Sequence, residues 1–236
     1  MLEIENLTKT FGQKKAVDNL SLEIKEGEIC GFIGQNGAGK TTTIKCVCGI
    51  IDFDSGRIEL NGVDVAKDPI GVKRQTAYIP DNPDLYEFLT GIKYLNFVAD
   101  VFKVSKSDRE ERIKKYADLF ELTDALGGLI SSYSHGMKQK LALISALIHE
   151  PKFLILDEPF VGLDPQASKI VKDIMHEMCQ KGAFVFFSTH ILEVAEKLCD
   201  KVAVIKGGKL LRFGEMEEVK GDDSLETVFF ELEGEA

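Results

Sequence analysis

The sequence predicts an α/β fold in which a parallel sheet core carries an antiparallel β subdomain at its amino end and an inserted α-helical subdomain at about 88–148. Three patterns predict it: short continuous apolar runs, alternating segments closed by an Asn-Gly turn, and a central stretch where strand signals stop. The continuous runs are Ala77-Tyr78-Ile79, Phe153-Leu154-Ile155-Leu156, Ala183 to Ser188 and Val202 to Ile205, the pattern of strands buried on both faces of a parallel sheet. Leu2 to Leu7 and Leu20 to Ile24 alternate apolar with polar as half-buried strands do, and Asn61-Gly62 within Ile58 to Val65 marks a tight hairpin. From about Thr90 to Ile148, Ser107 to Glu110 reads as a capping box, followed by Ile113, Tyr116, Ala117 and Phe120 at helical spacing. All 236 residues are expected to form one domain, with the helical segment inserted into the core.

Composition narrows the partners. The formal charge of -10 leaves no basic footprint for nucleic acid, so neither DNA nor RNA is an expected partner. No apolar run approaches the roughly 18 to 20 residues that span a bilayer, and the acidic start Met1-Leu2-Glu3-Ile4-Glu5 is unlike an export signal. A soluble, cytoplasmic chain is expected. Cys30, Cys46, Cys48, Cys179 and Cys199 form an odd set without Cys-x-x-Cys spacing in apolar or helical surroundings, as reduced packing residues do.

The most specific segment is Gly34-Gln35-Asn36-Gly37-Ala38-Gly39-Lys40-Thr41, after the apolar run Glu28 to Ile33 and before a helical segment, Thr42 to Gly49. Gly, four residues, then Gly-Lys-Thr lets backbone approach a phosphate chain and aims N–H groups and a helix N-terminus at it. Glycine makes up about 7% of average composition, so chance gives this spacing in roughly one chain in a hundred of this length. The core is therefore of the P-loop NTPase class, with a nucleotide and Mg²⁺ as expected ligands; that the nucleotide is ATP is implied by the resemblance given below. Lys40 would neutralise β and γ oxygens and Thr41 would ligate Mg²⁺. Phe153 to Leu156 ends in Asp157-Glu158-Pro159, where Asp157 suits Mg²⁺ and Glu158 suits a general base for water. Alone, the pair also fits two surface acids closing a strand.

Ser134-His135-Gly136-Met137-Lys138-Gln139 opens a helix, Gly162-Leu163-Asp164-Pro165 is a turn, and Ser188-Thr189-His190 ends a strand. With these segments in order behind the phosphate loop, the chain resembles the ATP-binding subunit of ABC transporters over nearly its full length. Tyr133 to Lys140 and the short carboxyl tail look most like single-cassette subunits of bacterial exporters. The resemblance implies an ATPase that powers a separate integral membrane permease from the cytoplasmic face of the cell membrane. It also implies a head-to-tail pair with a second cassette, a copy or a relative, in which each ATP lies between one chain's phosphate loop and the other's Ser134 and Gly136, with Asp164 crossing between the sites. By the same resemblance His190 orients Glu158 and water, Thr42 belongs to the ATP site, and Phe11 stacks on adenine with Val17 nearby. As residues, Phe11 has a core role as its lesser alternative, while His149 and His176 read as structural.

The chain departs from the family pattern in places. Where the family has Leu-Ser-Gly-Gly-Gln, this chain has Tyr133-Ser134-His135-Gly136-Met137, which keeps the serine and second glycine and loses the glutamine. Asp81 replaces the glutamine that touches Mg²⁺; it could bind metal, repel the γ-phosphate, or start a turn with Asn82 and Pro83. Leu85-Tyr86-Glu87-Phe88-Leu89 falls where the family forms a groove for a helix of the membrane subunit, and it fits lobe core as well. Glu215 to Glu218 reads as a solvated face, and Val228-Phe229-Phe230 as a terminal helix closing on the core. Two other functions compete with transport. A soluble relative acting on ribosomes or DNA would carry a coiled-coil insertion, zinc cysteines or a second cassette, and a GTP switch would carry Asn-Lys-x-Asp; this sequence has none of them.

Overall fold

The computed structural model describes residues 1–235. Two sheets form its frame. The first is antiparallel: β1 (Leu2–Phe11) pairs with β2 (Lys14–Ile24) and with β4 (Ser55–Leu60), and β4 continues through Asn61-Gly62 into β5 (Val63–Asp64). Asn61 and Gly62 both have positive φ, 49° and 76°, the conformation that a two-residue hairpin turn demands. β1 and β2 are longer than the alternation in sequence suggests. Bulges interrupt the β1–β2 register between Ile4 and Thr10, with Asn6 and Asn19 at φ 49° and 55°, so side chains beyond them fall out of the period.

The second sheet has the order β10-β9-β3-β8-β7-β6 and contains the predicted apolar runs. Its parallel members are β3 (Ile29–Ile33), β6 (Thr76–Ile79), β7 (Phe153–Asp157), β8 (Phe184–Thr189) and β9 (Lys201–Lys206); β10 (Lys209–Glu215) is an antiparallel edge. Alternation assigns each strand's side chains to one of two cores. Phe32, Phe153, Phe184 and Phe186 pack toward the antiparallel sheet, with Phe153 and Phe184 stacked at 4.3 Å between ring centroids. Ile29, Ile33, Leu156 and Phe187 pack toward the helices on the other side.

Between β3 and β6 lie α1 (Lys40–Val47) and α2 (Pro69–Gln75). α1 begins at Lys40, two residues earlier than the sequence reading, because Gly39 at φ 114° serves as its N-cap. Between β6 and β7 the chain forms α3 (Gly91–Val101), α4 (Lys106–Leu119) and α5 (His135–Leu147), whose buried faces join the core cluster on the helix side. The cap of α4 is Ser105, which accepts from the Asp108 N–H at 3.2 Å, rather than Ser107; Ser107 lies inside the first turn, with its hydroxyl against that of Ser105. Ile113, Ala117 and Phe120 are buried as their spacing requires.

After β7 come α6 (Pro165–Gln180), α7 (Leu192–Leu198), α8 (Met216–Lys220) and α9 (Leu225–Glu235). Glu215, Glu217 and Glu218 are exposed while Met216 is buried, and α9 closes on the core through Val228 and Phe229 but leaves Phe230 exposed. All five cysteines are buried free thiols, and burial pushes each of them above the ordinary thiol range. Among the described residues, no helix is long and apolar enough to cross a membrane.

His176 is exposed on α6, whereas His149 stacks on Phe102 with ring centroids 3.7 Å apart and neither imidazole nitrogen hydrogen-bonded. Burial lowers its pKa from 6.5 to about 4, so the unfolded chain takes up a proton that the folded chain refuses in this window. Stability therefore falls as pH drops from 6.5 toward 4. In urea titrations His149→Phe should keep the stack and lose less stability over that window than the parent, by at most about 3 kcal/mol; parallel losses would show that His149 does not titrate there.

Candidate functional site

Parallel pairing sets Ile33 opposite Thr189 and Asp157 opposite Ser188, so β3, β7 and β8 release their chain ends at one edge of the sheet. Ligands of open α/β sheets bind at this carboxyl edge. The Gly34 to Thr41 loop turns there without room for side chains at two glycines: a Cβ on Gly34 would collide with the Ile205 carbonyl, and one on Gly39 with the Ala16 carbonyl. Lys40 is 6% exposed, and its ammonium donates to the Gly34 carbonyl at 2.6 Å and the Gln35 carbonyl at 3.3 Å, 3.6 Å from Glu158 Oε1.

The two carboxylates have different surroundings. Asp157 is buried; its Oδ2 accepts from the Thr41 hydroxyl at 2.7 Å and its Oδ1 from the Ser188 hydroxyl. Glu158 has φ 50°, and its N–H donates to Ser188 Oγ at 3.1 Å, so one serine hydroxyl joins both acids. Glu158 Oε2 meets His190 Nδ1 at 2.9 Å, while Oε1 is buried without a hydrogen-bond partner. A carboxylate with one oxygen hydrogen-bonded and the other held only by the Lys40 charge at 3.6 Å is suited to receive a proton from a water in the cavity.

That cavity measures about 310 Å³ and is lined by Gln35, Asn36, Gly37, Gly39, Lys40, Thr41, Thr42, Asp157 and Glu158, together with Phe11 and Asp81. Gly34 and Ala38 lie buried beneath it. Phe11 is 54% exposed, which removes it from the core, and Val17 is fully buried. Asp81 is exposed at the rim, and its backbone carbonyl accepts from the buried Gln139 amide at 2.6 Å, which ties the β6 end to α5. Thr41 and Asp157 offer adjacent hard oxygen donors, a set that fits Mg²⁺, with Asp81 on the same cavity.

Ser134, Gly136 and Asp164 lie off the cavity lining. Ser134 caps α5 by accepting from the Met137 N–H, and Asp164 caps α6 by accepting from the Ala167 N–H at 2.7 Å. The Ala167 bond and then Lys140 hold the Asp164 carboxyl below the usual range. A larger cavity, about 500 Å³, lies beside Tyr116 and Met178 and contains none of these residues. Around the start of α3, Leu85 is buried, whereas Tyr86, Phe88 and Phe97 are exposed and form an aromatic cluster, with Tyr86 and Phe97 5.6 Å apart.

The ABC transporter family description matches residues 17–161. The chain belongs to the ABC transporter family. Among its relatives, the ABC-type transporter ATP-binding protein EcsA of Bacillus subtilis is 37% identical over 237 residues, covering 98% of this chain and 96% of its own. The linearmycin resistance ATP-binding protein LnrL of Bacillus subtilis is 33% identical over 214 residues, covering 91% and 69%. A solved ATP binding subunit of an ABC transporter superposes with a TM-score of 0.95 at 34% identity, covering 99% of both chains. As an ABC transporter ATP-binding subunit the chain binds nucleotide and is an ATPase.

Ser188 and Gln139 are the polar residues that sequence reasoning passed over. Both fall inside segments that sequence reading singled out, but their roles depend on register, which sets Ser188 opposite Asp157 and is seen only in the fold. Ser188→Ala should lower kcat about 10- to 100-fold with little change in ATP affinity, because Ser188 does not line the cavity. Steady-state rates with nucleotide titration check this, and an unchanged kcat would remove Ser188 from the catalytic arrangement.

Proposed function

We propose that this chain hydrolyses ATP as one of two head-to-tail cassettes, homo- or heterodimeric, that drive a separate integral membrane permease from its cytoplasmic face, and that the direction is export. The observation that carries the pairing is the division of the site. The cavity holds the phosphate loop and both carboxylates, but Ser134, Gly136 and Asp164 lie off it, so a second cassette is needed to bring a signature helix N-terminus to the phosphates. The aromatic cluster of Tyr86, Phe88 and Phe97 offers apolar anchors for a helix of the permease. A relative named for linearmycin resistance favours export.

In this reading Lys40 neutralises β and γ oxygens, and Phe11 supplies an exposed ring for adenine. Glu158 Oε1 takes the proton of the attacking water, and His190 holds Glu158 through Oε2. Mg²⁺ would be held by Thr41 and Asp157 and would offset phosphate charge. Asp81 adds a carboxylate to that group and reports its occupation to α5 through the Gln139 bond. We treat residues 1–236 as one catalytic unit with the 88–148 helical lobe inserted.

Two measurements test this. Glu158→Gln, sized with and without Mg-ATP, should form a stable dimer only with nucleotide, and tagged wild-type chain from detergent-solubilised native membranes should bring down a polytopic membrane protein. A monomer throughout, or recovery of ribosomes or nucleic acid instead, would defeat the reading. Asp81→Asn leaves the backbone bond to Gln139 intact and isolates the carboxylate, so the Mg²⁺ concentration for half-maximal rate should rise about tenfold. An unchanged Mg²⁺ dependence would dismiss Asp81 as a ligand.

A further inference from the structure

His135 stands where the family resemblance places a glycine, and its ring has a definite partner. Gly162 has φ 80°, and a Cβ built on it would stand 2.5 Å from His135 Cδ2 and 2.8 Å from Nε2, so the imidazole lies directly on the Gly162 backbone. Gly136 also approaches this turn: a Cβ there would stand 3.1 Å from the Gly162 carbonyl oxygen. One turn along α5, Lys140 pairs with Asp164 Oδ2 at 2.9 Å. Gly136 and Lys140 are four residues apart and share a helix face. Three contacts within two helical turns thus fasten the 162–164 turn to α5. The same turn leads back to Glu158, whose carbonyl accepts from the Val161 N–H at 3.2 Å.

We propose that His135 and Lys140 are positioning residues that clasp the Gly162–Asp164 turn to the start of α5, so that nucleotide bound against this chain's signature turn is felt at this chain's own Glu158. The inference rests on the paired-cassette reading. In a head-to-tail pair, Ser134 and Gly136 meet the nucleotide of the other chain, while Glu158 acts on the nucleotide of its own. A displacement of the α5 N-terminus by the first is carried through the His135 ring and the Lys140 ammonium to the turn that follows the second. The two ATP sites are then coupled through each chain. A glycine at 135 would leave the face of Gly162 uncovered and the turn held only by Lys140 and the close backbone approach. His135, on this account, is a flat wall for the turn and needs no polar contact with phosphate.

The test compares His135→Gly, His135→Phe and Lys140→Met in the full chain. ATPase rate is followed against Mg-ATP concentration, single-chain affinity is measured with a fluorescent ATP analogue, and dimerisation is sized in the Glu158→Gln background. The parent should show a Hill coefficient approaching 2, the number of coupled sites. His135→Gly and Lys140→Met should bring it toward about 1 while the analogue binds as before, since neither residue lines the cavity. His135→Phe keeps a flat ring on Gly162 and should retain the coupling. If Glu158→Gln dimerises with ATP but His135→Gly leaves the Hill coefficient unchanged, the clasp is overturned and the pairing stands. His135→Phe behaving like His135→Gly also overturns it, since the ring would then act through its nitrogens. Failure of Glu158→Gln to dimerise overturns the paired reading and the clasp with it.

Discussion

The arrangement depends on keeping one ammonium group, that of Lys40, out of water and within reach of phosphate. A buried charge left alone costs several kcal/mol, so it has to be matched where it lies. Here two loop carbonyls and the nearby Glu158 carboxylate match it, and that solution fixes the geometry around it. The loop must curl back on its own lysine, which brings its backbone against the carbonyls of Ile205 on β9 and Ala16 on β2. Both sheets therefore meet at the loop. The antiparallel subdomain serves as a wall that holds Gly39 and α1 in place, as well as carrying Phe11 to the rim.

The same constraint separates the roles of two adjacent acids. Asp157 ends β7 with both oxygens bonded, to Thr41 and Ser188, and its carboxyl group is held in one position. The next residue leaves the sheet at φ 50°, an uncommon conformation for a residue with a side chain, and turns its carboxylate toward the cavity. Ser188 stabilises that turn by accepting from the Glu158 N–H. A left-handed backbone and an oxygen that faces Lys40 without a hydrogen bond thus meet at one residue, the one whose proposed task is to accept a proton.

Patterns that report burial were readable from the sequence, and those that depend on register were not. Phe153 to Leu156 could be recognised as a buried strand because both its faces are covered, and Asn61-Gly62 as a turn because few residues accept positive φ twice in succession. The phosphate loop was readable because glycine and lysine at this fixed spacing suit little besides a phosphate chain. β1 and β2 were underestimated because bulges at Asn6 and Asn19 hide the period. Ser107 resembles a cap as closely as Ser105 does, because two serines, two residues apart, offer the same chemistry and only the incoming chain direction decides between them. Ser188 and Gln139 were missed for a related reason: each acts on a residue 31 or 58 positions away, a separation that local pattern does not encode.

α5 joins these regions. Its first two turns hold the rim of the nucleotide cavity through Gln139 and Asp81, the 162–164 turn through His135 and Lys140, and the edge of the aromatic cluster through the Lys138–Glu87 pair. Each polar link is of modest strength, since ion pairs with exposed partners contribute about 0–1 kcal/mol. Modest strength suits a part that has to change state. Links much stronger than the differential contacts made by a nucleotide would fix the helical lobe in one position whatever the site contained, because a ligand shifts an equilibrium only by its differential affinity for the two states. Links much weaker would let the lobe move without the site. Under the proposed function, several contacts of this size, placed on one helix and directed at three different loops, would let the helical segment respond to nucleotide and pass that response to the surface offered to a membrane partner.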